Sequence, residues 1–419
     1  MATESVIVDA TLEDERVLTV TFSDGSSGRY ACAWLRDNAP EPHTISFGER
    51  NRVRTLAMED FDPRIMPKGV TVVENGAAVR VKWPNGIEAN FSCNWLLERN
   101  LSSEEFRRRR MEQHYSISRR LWGTEDAKRE ILSQTGQWDR FMTDERYLRD
   151  KLQLFLSHGL LFLEGVPSKE NEILKLAERV GFLQNCHHGN TDEPRPEHQF
   201  AHFKIKAVAG NDTSSLGYTT TALGLHSDLA TCHPPIEISI LHCIRPAAEG
   251  GESHFCDAFR VAEQLRGEEP EMFNLLASTP LEFVDWGEAS YKFHMVTRRR
   301  TFELDELGAV KEVHFSSCTR GWFYDLPPEK VHDVLVALKT FNDFCWRPQN
   351  LLEVKLKAGD MVWVANLRVL HGRSGFKIDP RAGDDGQRYL ESVAMPLSAV
   401  RSRVRVADEL LGETKHASF

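Results

Sequence analysis

No part of this 419-residue chain approaches the ~20 uninterrupted apolar residues that a membrane-spanning helix needs. The N-terminus, Met1-Ala2-Thr3-Glu4-Ser5-Val6, lacks the cationic start and apolar run of a secretory signal. The eight cysteines, at positions 32, 93, 186, 232, 243, 256, 318 and 345, include no Cys-x-x-Cys pair. Their scatter suits reduced thiols better than a disulfide framework. A basic excess is missing too: 52 Lys and Arg stand against 62 Asp and Glu, a net charge of −10. A nucleic-acid partner would want a basic face, so the acidic balance argues for solubility alone. These absences point to a soluble, cytoplasmic protein with no nucleic-acid and no membrane partner. With 41% hydrophobic residues there is apolar content for a large core and for two or three domains.

What is present begins as short strands with turn chemistry. Residues 17–22 lead into Asp24-Gly25, 70–73 into Asn75-Gly76, and 79–83 into Asn85-Gly86, which predicts hairpins. The stretch from Phe22 to Trp34-Leu35 is echoed from Trp83 to Trp95-Leu96, so a small β domain is expected over residues 1–105. Residues 102–105 resemble a helix capping box ahead of the arginine run 107–110, read as a solvated face of a helical linker, 106–136. A larger domain, 137–412, follows. In it, 152–163 reads as a helix running into a strand, and 168–180 as one amphipathic helix. Residues 258–265, 271–277 and 328–344 read as further helices. Residues 361–370 read as one buried strand interrupted by Asn366 and Arg368, and 388–395 as another; Arg298–Arg300 reads as a surface run.

The chemistry concentrates in two places. Leu223-Gly224-Leu225-His226-Ser227-Asp228 precedes Pro234-Pro235 and an apolar run, 236–243. His226 and Asp228 are two apart, so on an extended segment both side chains point to one face. An imidazole and a carboxylate, with a second imidazole from elsewhere, make the two-His-one-carboxylate set that leaves positions open on non-haem Fe(II) for an O2-using oxygenase. His371, in Leu370-His371-Gly372-Arg373, is the candidate third ligand. A lone His-x-Asp is more often two polar residues at a strand end. Arg388 shifts the balance: it lies seventeen residues after His371, and a guanidinium can grip a carboxylate, here that of 2-oxoglutarate, by two parallel hydrogen bonds. Gly250-Gly251-Glu252-Ser253 adds a hydroxyl, Ser253, that can share it. Zinc hydrolysis is another use of such a metal set, but it leaves Arg388 and Ser253 idle. A catalytically inert binding protein is the second alternative, and the presence of all three ligands and the arginine argues against it.

Taken together, Trp34-Leu35-Arg36-Asp37-Asn38, Tyr218-Thr219-Thr220, His226-Ser227-Asp228, Leu241-His242-Cys243, Asn366-Leu367-Arg368 and Leu370-His371-Gly372-Arg373 resemble the taurine-dioxygenase-like Fe(II)/2-oxoglutarate oxygenases. Within them the nearest likeness is to the γ-butyrobetaine and trimethyllysine hydroxylase branch. Residue patterns alone give only mixed α and β. The resemblance implies an α+β, mainly β fold with a double-stranded β-helix (jelly roll) and flanking helices, in a homodimer. It also implies Fe(II) on His226, Asp228 and His371, 2-oxoglutarate on Arg388 and Ser253, O2 as oxidant and ascorbate as reductant. The implied reaction hydroxylates an unactivated C–H of a small molecule while 2-oxoglutarate is decarboxylated to succinate.

Departures from that branch carry information. Its members hold a structural zinc in the N-terminal domain with three cysteines and a histidine. Here Ala39, Glu41, Thr44 and Ile87 stand at those positions. His43 alone cannot replace them, so this domain is expected to be free of metal. The branch also surrounds a trimethylammonium with aromatic faces. Tyr218 is kept here, whereas His188, Asp192 and Ala394 stand where aromatics are expected, and Ser316-Ser317 replaces a pair of asparagines. His187 and His188 are adjacent, and neighbours on a strand or helix face different ways, so the two could hardly share one metal ion. His188 is expected to line the substrate pocket with Asp192 and Tyr218, with a plain loop as the alternative. The expected substrate is a small, zwitterionic amine or amino-acid-like metabolite whose nitrogen is not fully methylated. γ-Butyrobetaine or trimethyllysine hydroxylation proper is the alternative.

Overall fold

A computed structural model describes the chain apart from residues 1–4, 42–43, 48–51, 85, 101, 105–106, 108–118, 187–201, 207–215, 289–291, 379–386 and 413–419. The chain divides into two compact units, the smaller holding the N-terminal residues up to Ser118 and the larger Arg119–Leu411. Most of the arginine run 107–110, and His43, fall outside the described residues.

The smaller unit is built twice over. Strands β1 (Ile7–Glu13), β2 (Val17–Phe22) and β3 (Ser27–Ala31) form one antiparallel sheet that runs into helix α1 (Cys32–Asp37). Strands β4 (Gly69–Val73), β5 (Ala78–Lys82) and β6 (Glu88–Ser92) form another that runs into α2 (Cys93–Leu97). The turns depend on glycine, with Gly25 at φ 83 and Gly76 at φ 92, where a Cβ would be strained. The two helices share a core in which the Trp34 and Trp95 rings lie 5.3 Å apart. Ala39 is fully buried in that core and Ile87 packs against it. The buried Thr44 hydroxyl accepts a hydrogen bond from Arg36 at 2.8 Å.

In the larger unit, residues 119–136 bring Trp122 into the core. Strand β7 (Gly136–Gln137) follows, then helix α3 (Glu145–His158), which runs straight into β8 (Leu160–Glu164). Asp144 caps α3 by accepting the Tyr147 N–H at 3.0 Å, and Gly159 ends it at φ 75. Further strands are β9 (His202–Lys206), β10 (Leu223–His226), β11 (Ile238–Arg245) and β12 (Ser253–Asp257). Helices α4 (Ala258–Glu268) and α5 (Pro270–Ser278) lead to the hairpin β13 (Pro280–Glu288) and β14 (Lys292–Arg300). Helix α6 (Pro328–Cys345), strands β15 (Leu352–Val354), β16 (Met361–Ala365), β17 (Val369–Arg373) and β18 (Tyr389–Met395), and helix α7 (Leu397–Leu410) complete it.

Two sheets organise this unit. The major sheet has the order β9-β18-β11-β16-β8-β7 and the minor one β10-β17-β12-β15. Leu160, Phe162, Val362 and Val364 from the major sheet and Phe255, Leu352 and Val369 from the minor one share an interior cluster. The alternate residues, Leu161, Leu163, Met361 and Trp363, join a second cluster with helices α3 and α7. Both faces of β8 and β16 are therefore buried, which is why those strands read as unbroken apolar runs. The architecture is a double-stranded β-helix with flanking helices.

Two predicted elements differ. Residues 361–370 are not one strand: β16 and β17 belong to different sheets, and Asn366–Arg368 make the corner between them. The two polar residues are the joint. Arg368 makes a bidentate pair with buried Asp257 at 3.1 and 2.9 Å, and the corner packs on Gly159, where a Cβ would come within 3.2 Å of Ala365. Residues 168–180 form only two short turns, Glu172–Lys175 and Leu176–Arg179. Asn171 adopts a left-handed φ of 68, and its N–H is taken by the Glu391 carboxylate at 3.0 Å instead of by a preceding turn.

Candidate active site

His226 ends β10 and His371 lies in β17; the two are register partners on adjacent antiparallel strands. Gly372 makes this pairing close, since a Cβ there would meet the Leu223 carbonyl at 2.6 Å. Asp228 is not on an extended segment with His226, as its spacing suggested. It sits in the turn just past β10, with one carboxylate oxygen toward each imidazole. His226 Nε2 is 3.2 Å from Asp228 Oδ1, and His371 Nε2 is 3.4 Å from Asp228 Oδ2. All three ligand atoms lie within 4.8 Å of one another. This is the one such cluster among the described residues.

The donor set asks for a cation. His226 Nδ1 faces the Gly224 carbonyl at 2.9 Å, so Nδ1 carries the proton and the Nε2 lone pair faces a carboxylate oxygen. Two acceptors facing each other at that range need a proton or a metal ion between them. Burial acts to raise the Asp228 carboxyl, but His371 and His226 override it and hold it well below the usual carboxylate range. The residues fit a divalent metal ion of the kind taken by two imidazoles and one carboxylate.

The carboxylate is held in place from behind. Ser239, on β11, donates to Asp228 Oδ2 at 2.6 Å. Asn366 clamps the backbone of the same residue, accepting the Asp228 N–H at 2.6 Å and donating to the Asp228 and Ile236 carbonyls at 3.0 and 2.9 Å. Arg299, expected on the surface, donates to the carbonyls of Ala230 and Cys232 at 2.9 and 2.6 Å and so braces the turn that follows Asp228. Sequence reasoning gave none of these a role. For Ser239 and Asn366 the signal was present, a polar residue standing inside an apolar run.

Arg388 is 9% exposed and lines the same cavity as the trio. Among the described residues it has neither a carboxylate nor a hydrogen-bond partner. Desolvation brings its guanidinium below the ordinary range. Arg373 contrasts with it: its guanidinium donates to the carbonyls of Leu216, Thr219 and Thr221 and so stitches the 216–221 loop to the sheet. Burial and the repulsion of Arg388 bring Arg373 down to about 10. The Phe376 ring packs against both, 5.4 Å from the Arg388 guanidinium and 4.8 Å from that of Arg373. An anion beside Arg388 would relieve both the missing partner and the repulsion. Ser253 is the register partner of Arg373 on β12 and also lines the cavity.

The cavity measures about 1340 Å³. Tyr218, Ala394 and Ser316 border it, whereas Ser317 is exposed and does not; His188 and Asp192 lie outside the described residues. The expectation that Tyr218 stands alone among aromatics is corrected. Phe203, Phe255, Trp286, Phe293, Trp322 and Tyr324 also border the cavity. All but Phe203 and Phe255 come from the stretch 284–324, whose hairpin and loop carry no motif that marks them in sequence.

A double-stranded β-helix with this trio at one end defines the class: a 2-oxoglutarate-dependent non-haem iron dioxygenase. The family model described as taurine catabolism dioxygenase TauD, TfdA family matches residues 124–393, well over half of the chain, and the chain belongs to that family. Residues 10–99 match a second model, gamma-butyrobetaine hydroxylase-like, N-terminal. The chain is similar to gamma-butyrobetaine dioxygenase of Homo sapiens, 28% identical over 395 residues, covering 94% of this chain and 95% of that one. It is also similar to mitochondrial trimethyllysine dioxygenase of Homo sapiens, 28% identical over 355 residues, covering 83% and 77%. Among solved structures, a taurine dioxygenase from Burkholderia xenovorans aligns with a TM-score of 0.42 at 14% identity, covering 62% of this chain and 90% of that one.

Proposed function

We propose that His226, Asp228 and His371 hold Fe(II), that Arg388 and Ser253 bind the far carboxylate of 2-oxoglutarate, and that the enzyme hydroxylates a C–H of a small, zwitterionic amine or amino-acid-like metabolite. The single observation that carries this is a buried arginine, with no carboxylate or hydrogen-bond partner among the described residues, in the same cavity as the converging trio. Iron, 2-oxoglutarate and O2 supply the oxidising power, and succinate and CO2 are the by-products. The chain supplies the rest. Asp228, kept ionised by its neighbours and oriented by Ser239 and Asn366, presents a fixed anionic ligand. Arg388, in a poorly solvated position, offers two parallel donors to a carboxylate. Leu241, Phe255 and Leu390 wall the cavity with apolar surface and keep water away from the reacting carbon.

A second reading, γ-butyrobetaine or trimethyllysine hydroxylation, is favoured by the aromatic residues on the cavity wall and by the names of the relatives. Under either reading the proposed organisation is a small N-terminal β domain, 1–105, a helical linker, 106–136, and a catalytic domain, 137–412. Ascorbate is the reductant proposed to sustain turnover. A cytoplasmic homodimer completes the proposal; all eight cysteines are free thiols, in keeping with a reducing compartment, and no described helix is long and apolar enough to cross a membrane. Sedimentation tests the dimer. The main test measures succinate release with Fe(II), ascorbate and 2-oxoglutarate, against a panel of amines, betaines and amino acids. No succinate under any of these conditions would remove the proposal.

A further inference from the structure

The cavity does not end at the candidate iron ligands. Its far wall comes from the hairpin β13–β14 and from residues 316–324, and includes Val284, Trp286, Phe293, Trp322 and Tyr324, with Leu335 from α6. Trp286 is 68% exposed and Trp322 83%, although both border the same cavity as His226 and Asp228. Single exposed apolar residues need no explanation, but two exposed indoles bordering one enzyme cavity offer apolar surface that a ligand would cover. The hairpin is shaped to display such surface. Gly287 leaves room for the Phe293 ring, which a Cβ there would meet at 3.1 Å. At about 1340 Å³ the cavity exceeds the ~300–1000 Å³ typical of pockets for whole drug-sized ligands, so 2-oxoglutarate and a compact amino acid leave much of it unfilled.

We propose that this wall is a distal apolar subsite that takes an extended aliphatic side chain, so that the substrate is a long-chain amino acid and not a compact one. The inference rests on the reading of the trio as the oxygenation centre, with which the subsite shares its cavity. The exposure of the two indoles decides between an apolar chain and a cation. A cation over a water-exposed ring gains only about two- to fivefold in affinity per face. Each methylene gains up to about fourfold when fully buried and proportionally less against an open ring, but the gain repeats along the chain, so a chain of several methylenes prevails.

The experiment is anaerobic calorimetry on the full chain loaded with Fe(II) and 2-oxoglutarate, titrated with unbranched amino acids from 2-aminobutanoate to 2-aminodecanoate. Affinity is expected to rise by about two- to fourfold per methylene. Trp286→Ala and Trp322→Ala are expected to flatten that gradient, and Trp322→Phe to restore most of it. An affinity that is flat or falling with chain length, or no binding by any member, overturns the subsite. So does a gradient that the alanine variants leave intact. Substrate-free decarboxylation of 2-oxoglutarate by the unmodified protein, run alongside, reads the iron centre separately. If it occurs while the gradient is flat, the subsite alone is wrong; if it fails and neither Fe(II) nor 2-oxoglutarate binds during loading, the centre on which the inference rests is wrong.

Discussion

His226 and His371 are cross-strand partners whose ring centroids lie 4.5 Å apart, so the candidate metal site is set by the register of two strands 145 positions apart in the chain. Any slip of β10 against β17 would separate the rings. Among the described residues no further group joins the trio to replace a lost ligand. His226→Ala, Asp228→Ala and His371→Ala are each expected to lose bound Fe(II) and to abolish succinate release, read by metal analysis and by direct succinate assay. Near-normal release from His226→Ala would place the metal elsewhere.

Gly372 tests the register itself. A Cβ there would strike the Leu223 carbonyl, which is backbone and cannot swing away. Gly372→Ala is expected to destabilise the protein by about 1–3 kcal/mol, as overpacking does, and to weaken iron binding although every ligand is intact. Thermal unfolding and iron affinity check both halves. Unchanged iron affinity would mean that the strands can part without moving the rings.

Arg388→Ala should raise the concentration of 2-oxoglutarate needed for half-maximal turnover by about a hundredfold, the equivalent of a charge-assisted, bidentate contact worth about 3 kcal/mol. Iron affinity should be spared. Arg373→Ala should act differently, because its guanidinium is spent on loop carbonyls; it should loosen the 216–221 segment to proteolysis. If Arg373→Ala alone produced the 2-oxoglutarate defect, the two roles would be exchanged.

Glu391 lies on the face of β18 away from the cavity, 0% exposed, with His202 Nε2 at 3.2 Å and the Asn171 N–H at 3.0 Å. Burial acts to raise its carboxyl, but the nearby imidazoles of His202 and His242 and the hydrogen bond from the Asn171 N–H bring it from 4.5 down to about 2. Its folded value lies below its unfolded one, so its contribution to stability is full above about pH 4.5 and is lost as pH falls towards 2. The contribution is on the order of 1–3 kcal/mol. Glu391→Gln should therefore lower the melting temperature at neutral pH and narrow the gap to the unmodified protein as pH falls through that window. A gap that stays constant with pH would leave the carboxylate without this role.

The residues that would do the chemistry were legible in sequence because each is a polar exception with a specific partner type: His226, Asp228, His371 and Arg388. The β-hairpins of the smaller unit were legible because Asp24-Gly25 and Asn75-Gly76 admit few other conformations. The corner at Asn366–Arg368 was not, since an apolar run interrupted by two polar residues fits a buried strand as well as a turn between two sheets. The aromatic wall was hidden for a related reason. Trp286, Phe293, Trp322 and Tyr324 reach the cavity through a long hairpin and a loop, a tertiary arrangement that no local pattern encodes.

The last prediction separates the two functional readings. γ-Butyrobetaine and trimethyllysine are expected to be poor substrates beside amines whose nitrogen keeps a hydrogen. A quaternary ammonium donates no hydrogen bond, so its recognition rests on aromatic faces worth ~0.5–1 kcal/mol in water and ~2 kcal/mol when desolvated. Tyr218 is half-buried, but Trp286 and Trp322 are largely open to water, so they work at the weak end of that range. Two faces lowered by about 1 kcal/mol each cost roughly thirtyfold in affinity relative to a closed cage. An amine with a hydrogen can add a directed bond to any acceptor in the cavity, a gain of about 1 kcal/mol or more that the quaternary compound forgoes. Initial rates for γ-butyrobetaine and its dimethylamino analogue, measured side by side at limiting concentration, decide the matter. The analogue should be faster; a clear preference for the quaternary compound would show that the wall closes as a cage and would establish the second reading in place of the first.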